Sequence, residues 1–360
     1  MKHLFIESTE FRSRLVAWYQ RHARKLPWRE ATDPYRILVS ELMLQQTQVG
    51  TVLGYYKRWL DRFPTIRDLA EADEGAVLQV WEGLGYYHRA RNLLQCAKII
   101  VGRFSEQFPS TIEELMKLPG VGKYTAGAIV SFAFDRPAAI VDANIARVLS
   151  RLANTQESID SHGGKSLIWG LAERFAKGTN PRLANAALME LGATLCSPRK
   201  PLCVVCPVKT FCGAKDPESL PRKRARRAVQ FMNESYFFAV QEGRVLLERR
   251  VGRRWQGLWT LPVLSKAPAP AGAEASEFPF VRVRHAITRF AVELSVFVRE
   301  PPKNLGEGQE WKSLASLEDL PMPSPHRRAL QLALEALQLL DFPLASPGPE
   351  RRVFGGLCNL

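Results

Sequence analysis

Two carboxylates in this chain have surroundings that suit opposite protonation states. Glu41 lies in LVSELMLQQTQ (38–48), an apolar run that turns into three glutamines and a threonine. On a helix its neighbours at i−4, i−3 and i+3 are Ile37, Leu38 and Leu44. Apolar surroundings disfavour the charged form and raise a carboxyl pKa. Asp142 lies in VDANIARV (141–148), directly before a helical pattern. At an N-cap its charge is favoured by the free N–H groups of the first turn, so it is expected to stay ionised. A proton-holding Glu beside an ionised Asp is the division of labour that cleaves glycosidic bonds. Each residue also has a plain structural reading: an edge-of-core glutamate reaching solvent, and a simple helix cap.

A second group is Cys196, Cys203, Cys206 and Cys212, spaced C-x6-C-x2-C-x5-C, with Cys96 and Cys358 far away. Four thiolates within 17 residues can hold zinc or an iron–sulfur cluster. The spacing lacks the two separated C-x2-C knuckles of a zinc ribbon and suits one compact loop around a 4Fe-4S cube. A third is LPGVGKYTAGAI (118–129), which reads as helix end, tight turn, helix start. Gly120 and Gly122 permit backbone angles that other residues resist. The free N–H groups and Lys123 at the second helix's start can grip phosphate without reading sequence. The bland alternative is an ordinary interhelical turn.

The elements that carry these groups follow from punctuation and period. Asp33-Pro34 reads as N-cap and first helical residue, opening a helix through Ile37, Leu38, Leu42 and Gln45. From about residue 8 to 213 the pattern is helical, with a helix at Thr111–Leu118 and another from about Lys123. RKRARR (222–227) is a basic connector. Beyond it Tyr236–Gln241 and Arg244–Arg249 read as strands around Glu242-Gly243, and Val281–Thr288 and Ala291–Val298 as two more. APAPAGAEA (267–275) reads as a loop, and Ser324–Leu340 as an amphipathic helix. The expected boundaries are 1–215 for the helical domain, 216–230 for a basic interdomain linker, 231–342 for an α+β domain, and 343–360 for a disordered tail.

The chain has 360 residues, which favours two domains. It carries 50 Lys and Arg against 36 Asp and Glu, a formal charge of +14. Such a balance points to a polyanion, nucleic acid before an acidic membrane surface. No apolar run reaches a membrane span and MKHLFIESTEF lacks a signal-peptide core, so a cytoplasmic setting and reduced cysteines are expected.

Taken together, LPWR (26–29), SELMLQQTQV (40–49), GLGYYHRARNL (83–93), LPGVGKYTAGAI, VDANIARV, the cysteine quartet and WQGLWTLP (255–262) resemble the helix-hairpin-helix DNA glycosylases, and among them the adenine DNA glycosylases. The resemblance implies an all-α helix-hairpin-helix glycosylase domain with an iron–sulfur loop and a C-terminal α+β Nudix-like domain. It implies a monomer acting on double-stranded DNA that holds adenine opposite 8-oxoguanine or guanine, with the target nucleotide flipped out. Glu41 would protonate adenine and Asp142 would stabilise the sugar cation. Asn144 would orient Asp142 or water, and Tyr124 would contact the abasic product. Tyr124 stands where bifunctional relatives carry a Schiff-base lysine, so little or no strand cleavage is expected. Gln46, Thr47 and Tyr86 would wedge into the duplex, Trp28 and Arg29 would border the adenine pocket, and Tyr87, Trp81 and Trp59 would be packing residues. The Cys quartet would hold a 4Fe-4S cluster.

Two departures stand out. The family's H-x-F-S-H is here His285-Ala-Ile-Thr-Arg289, so Thr288 and Arg289 would read the oxidised base with altered selectivity. Ala186 follows Asn185 where the family often has Glu or Gln. The C-terminal domain lacks a Glu-rich pyrophosphatase motif and is expected to bind rather than hydrolyse. The rival readings are the same fold acting on another lesion, and a noncatalytic DNA-binding protein.

Overall fold

The computed structural model describes residues 4–178, 180–225, 228–252, 254–264 and 278–339. The expected loop at 267–275, the tail from 343 and Cys358 lie outside them. The chain divides into two compact units, Met1–Arg226 and Arg227–Leu360.

The described part of the first unit contains α1 Thr9–His22, α2 Pro27–Glu30, α3 Pro34–Leu44, α4 Val49–Arg62, α5 Ile66–Glu71 and α6 Glu74–Trp81. It continues with α7 His88–Phe104, α8 Ile112–Leu115, α9 Lys123–Phe134, α10 Ala143–Leu152, α11 His162–Ala176 and α12 Pro181–Thr194. Local chemistry starts the helices that matter. Asp33 accepts from the Tyr35 N–H at 2.9 Å and Pro34 fills the first turn of α3. Asp142 accepts from the Ile145 N–H at 2.7 Å and caps α10. One core gathers α1, α10, α11 and α12 around Phe11, Leu149, Phe175 and Leu188, all buried. Elsewhere Trp59 of α4 meets Trp81 of α6 edge-to-face at 5.4 Å, both fully buried.

The hairpin helix expected at Thr111–Leu118 is shorter, ending at Leu115, with Thr111 as its cap. Turns lead from there to Gly120 at φ +73°, where an added Cβ would stand 2.3 Å from Asn92 Nδ2. Gly122 caps α9 at φ −93°, ψ 179°, extended backbone that any residue adopts. Its freedom is not what shapes this turn.

The expected linker is partly bound to the first unit. Arg151 Nε donates to the carbonyls of Pro217 and Leu220, and the Ile159 N–H donates to Arg222 O. The second unit holds β1 Gln230–Phe238, β2 Val240–Gln241, β3 Arg244–Arg249, β4 Trp259–Thr260, β5 Val281–Ile287, β6 Phe290–Val298, β7 Gln309–Ser313 and α13 Ser324–Leu339. One sheet runs β1-β6-β5, with β1 parallel and β5 antiparallel to β6. In the other, β3 pairs with β2, β4 and β7, all antiparallel. The predicted strand at 236–241 breaks at Ala239 and its first part begins six residues early, because β1 follows β6 along its length. The fourth predicted strand begins at Phe290 and the third ends at Ile287. Thr288 and Arg289 are therefore the two-residue tip of the β5–β6 hairpin, not strand residues. α13 closes the core of this unit through Ala329, Leu330 and Ala333. No helix among the described residues is long and apolar enough to cross a membrane.

Candidate active site

A cavity of about 660 Å³ opens in the helical unit, within the usual range for small-ligand sites. Glu41, Asp142, Asn144, Tyr124, Trp28, Arg29, Gln46 and Thr47 all line it. The structure thus joins residues from α2, α3, the loop after α3, α9 and α10.

Glu41 is 6% exposed. Its carboxyl is pushed up to about 7, first by burial and then by the charge of Asp142, against a hydrogen bond from the Tyr124 hydroxyl that lowers it. Near neutral pH it is poised to give or take a proton. Asp142 is the helix cap that the sequence predicts, in a more buried setting. Its capping bonds from the Ile145 N–H and from Asn144 Nδ2 (2.9 Å) hold its pKa down, yet burial outweighs them and the net shift is upward. The sequence showed the cap and not the burial. Asn144 is fixed from behind by Arg147, which reaches Asn144 Oδ1 at 2.8 Å, Gly192 O at 2.6 Å and Cys196 O at 2.8 Å. The fit is close: a Cβ on Gly192 would stand 2.8 Å from Asn144 Cβ and 2.9 Å from its carbonyl oxygen.

Opposite, a carboxylate that sequence reasoning passed over organises the rim. Glu190 of α12 is fully buried. Burial alone would raise its pKa, but hydrogen bonds from Arg24 and Arg29 prevail and hold it at about 2. Arg24 binds it with Nε and Nη2, each at 2.8 Å, and Arg29 with Nη2. The signal was present: NAALMELGAT (185–194), like the Glu41 run, sets one carboxylate among apolar residues. Asn185 is pinned to Ser131 Oγ and Ala138 O, while Ala186 lines the cavity.

The other expected residues lie elsewhere. Tyr86 stands at the start of α7, outside the cavity lining, at φ 48°. Lys123 does not line the cavity; its Nζ meets Glu173 at 3.1 Å and lies 4.1 Å over the Trp169 ring. Thr288 and Arg289 belong to the second unit, where Thr288 holds φ 53°, rare for a β-branched residue. Tyr87, Trp81 and Trp59 are buried, as expected of packing residues.

Cys196, Cys203, Cys206 and Cys212 surround one small cavity and none is disulfide-bonded. Arg151 Nη1 lies 3.2 Å from Cys196 Sγ, a donor suited to a thiolate. Among the described residues no group of His, Cys, Asp or Glu is gathered as tightly as a single metal ion requires. The four thiols and the cavity they share fit a centre held by four thiolates.

Residues 39–172 match the model of the HhH-GPD superfamily base excision DNA repair protein, and residues 235–332 that of the NUDIX domain. Fold and site thus define a helix-hairpin-helix base-excision domain joined to a NUDIX unit. A human adenine DNA glycosylase is 44% identical over 225 residues, 59% of this chain and 41% of that protein. The chain spans less than half the length of such mammalian relatives. An adenine DNA glycosylase of Buchnera aphidicola subsp. Schizaphis graminum is 33% identical over 258 residues, 70% of this chain and 74% of the relative. The chain belongs to the adenine DNA glycosylase family. A solved structure titled as a thermostable thymine-DNA glycosylase superposes with a TM-score of 0.52 at 31% identity, covering 56% of this chain and 94% of that one.

Proposed function

We propose that the protein hydrolyses the N-glycosidic bond of adenine mispaired with 8-oxoguanine or guanine in duplex DNA, and so initiates base excision repair. The observation that carries this reading is the pair of carboxylates in one cavity, with Glu41 at a pKa of about 7. Glu41 protonates the flipped adenine, so the base leaves neutral. As the bond to the sugar breaks, positive charge builds on the sugar ring, and Asp142 stabilises it. Asn144 holds Asp142 or the attacking water, and water completes the hydrolysis. Trp28 and Arg29 border the base, and Tyr124, hydrogen-bonded to Glu41, faces the abasic product. No lysine amine lines the cavity among the described residues, which supports a monofunctional enzyme.

Gly120, Gly122 and Lys123 grip the DNA backbone, while Gln46, Thr47 and Tyr86 fill the gap left by the extruded base. Cys196, Cys203, Cys206 and Cys212 hold a 4Fe-4S cluster, which when bound cross-links their loop to the end of α12. The NUDIX unit reads the partner base through Thr288 and Arg289 without hydrolysing nucleotides. The enzyme acts as a monomer.

A second reading keeps fold and chemistry but changes the mispair; Thr288-Arg289 and the apolar Ala186 favour it. Single-turnover assays on duplexes holding A·8-oxoG, A·G, A·C, T·G or paired 8-oxoG separate the two. Adenine release from the first two duplexes is expected. Its absence there, with release from another, moves the assignment to the second reading.

A further inference from the structure

Arg89, in the first turn of α7, is 1% exposed and has no acidic partner among its hydrogen bonds. A buried cation without a counter-ion persists only where many dipoles satisfy it. Here the acceptors come from two separate segments. Nη1 reaches Leu42 O at 3.0 Å, Met43 O at 2.9 Å, Gln45 O at 2.5 Å and Thr47 Oγ1 at 3.2 Å. Nη2 reaches Leu84 O and Gly85 O, each at 3.0 Å. The guanidinium lies 5.2 Å over the Trp81 ring and 5.4 Å over the Tyr86 ring.

Leu42 and Met43 lie in the last turn of α3, whose carbonyls have no partner within the helix. Arg89 therefore completes the end of the helix that carries Glu41. Each segment it ties also holds a non-glycine residue in the left-handed region: Gln46 at φ 57° and Tyr86 at φ 48°. Such backbone persists only where surrounding structure over-determines it. Gln46 and Tyr86 come from opposite sides of the clamp, and neither is fixed by its own side-chain hydrogen bonds.

We propose that Arg89 is a positioning residue that locks Gln46 and Tyr86 together in the conformation that enters the opened duplex. This rests on the DNA-glycosylase reading above. The planar fork is what the geometry uses, since one guanidinium presents donors in two directions at once. A lysine keeps the charge and offers a single point of attachment.

The test compares wild type with Arg89→Lys and Arg89→Met on a duplex carrying 2-aminopurine beside the mispaired adenine. Binding by wild type is expected to raise the probe's fluorescence as stacking is lost. Both variants, folded by circular dichroism, are expected to lose most of that rise. Adenine release should fall about 100-fold on this stacked duplex. On a duplex whose adenine is already unpaired and unstacked, the fall should stay below about tenfold, since little remains to be opened. Equal losses on the two duplexes, or a fluorescence rise like that of wild type, would overturn the proposal. So would unfolding of both variants, which would make Arg89 a stability residue alone. The fluorescence arm needs no bond cleavage. A wild type that unstacks the probe without releasing adenine would sink the hydrolase reading and leave the role of Arg89 standing.

Discussion

The cavity of the helical unit and the hairpin tip of the NUDIX unit are built on opposite plans. In the cavity, Glu41 and Asp142 are each buried or nearly so, and each is held by named partners: Tyr124 for one, Ile145 and Asn144 for the other. At the tip, Thr288 and Arg289 form a two-residue turn between β5 and β6, outside the core of that unit. Chemistry at a base requires a shifted pKa, and a shift needs burial and fixed dipoles. Reading a partner base requires donors and acceptors that reach outward from a rigid support. The tip is fixed by its hairpin and by the Gln230 N–H, which donates to Arg289 O at 2.9 Å.

The largest expected effect lies in the cavity. Glu41→Gln keeps shape and removes the proton, so adenine release in single turnover should fall by about 10³-fold. Affinity for mispaired duplex, read by gel shift, should stay near wild type, and a retained rate would end the acid assignment. Asp142→Asn comes next, with a loss of about 10²- to 10³-fold from removed charge stabilisation. A rate within tenfold of wild type would leave Asp142 as a helix cap only.

The third effect is on pH. Glu41 donates only while protonated, and its carboxyl is raised to about 7. The single-turnover rate should therefore be flat below that pH and fall about tenfold per unit above it. Tyr124→Phe removes the hydrogen bond that lowers this pKa, so the fall should move to higher pH. A fall unmoved or moved downward would contradict the geometry. The same ionisation bears on stability. The pKa is above that of the unfolded chain, so its stabilising contribution is full below about 4.5 and lost as pH rises through about 7.

The smallest effect belongs to the tip. Thr288→Ala with Arg289→Ala should change the ratio of rates on A·8-oxoG and A·G by about tenfold, the worth of one hydrogen bond. The rate on the better substrate should change less. If both rates collapse together, the tip supports the fold instead of reading the base.

What could be read from the sequence divides along the same line. Glu41 was legible because a carboxylate among Leu, Met and Ile is anomalous within a few residues. The Asp142 cap and the start of α3 were legible for the same local reason. The upward shift at Asp142 was not, because burial comes from elements remote in the chain. The acceptors of Arg89 on the α3 side lie 42 to 47 residues away, and YYHRARN carries no mark of them. In the second unit, β7 pairs with β3 across more than 60 positions. The two-residue β4 and five-residue β7 have no period long enough to register. Thr288 and Arg289 were found by motif alignment, with Thr288 placed at the end of a strand and Arg289 just beyond it. Only the pairing register shows that they turn the chain.

Gly192 does not itself line the cavity, yet α10 and α12 approach so closely there that a methyl group would press on Asn144. Its consequence is for comparing related chains. On the proposed mechanism, two members with every lining residue in common would differ in rate through this one position, because Asn144 is hydrogen-bonded to Asp142. A substitution here would pass unnoticed in any census of active-site residues, and its cost would surface as slow turnover in a protein that folds, binds DNA and carries a full complement of catalytic groups.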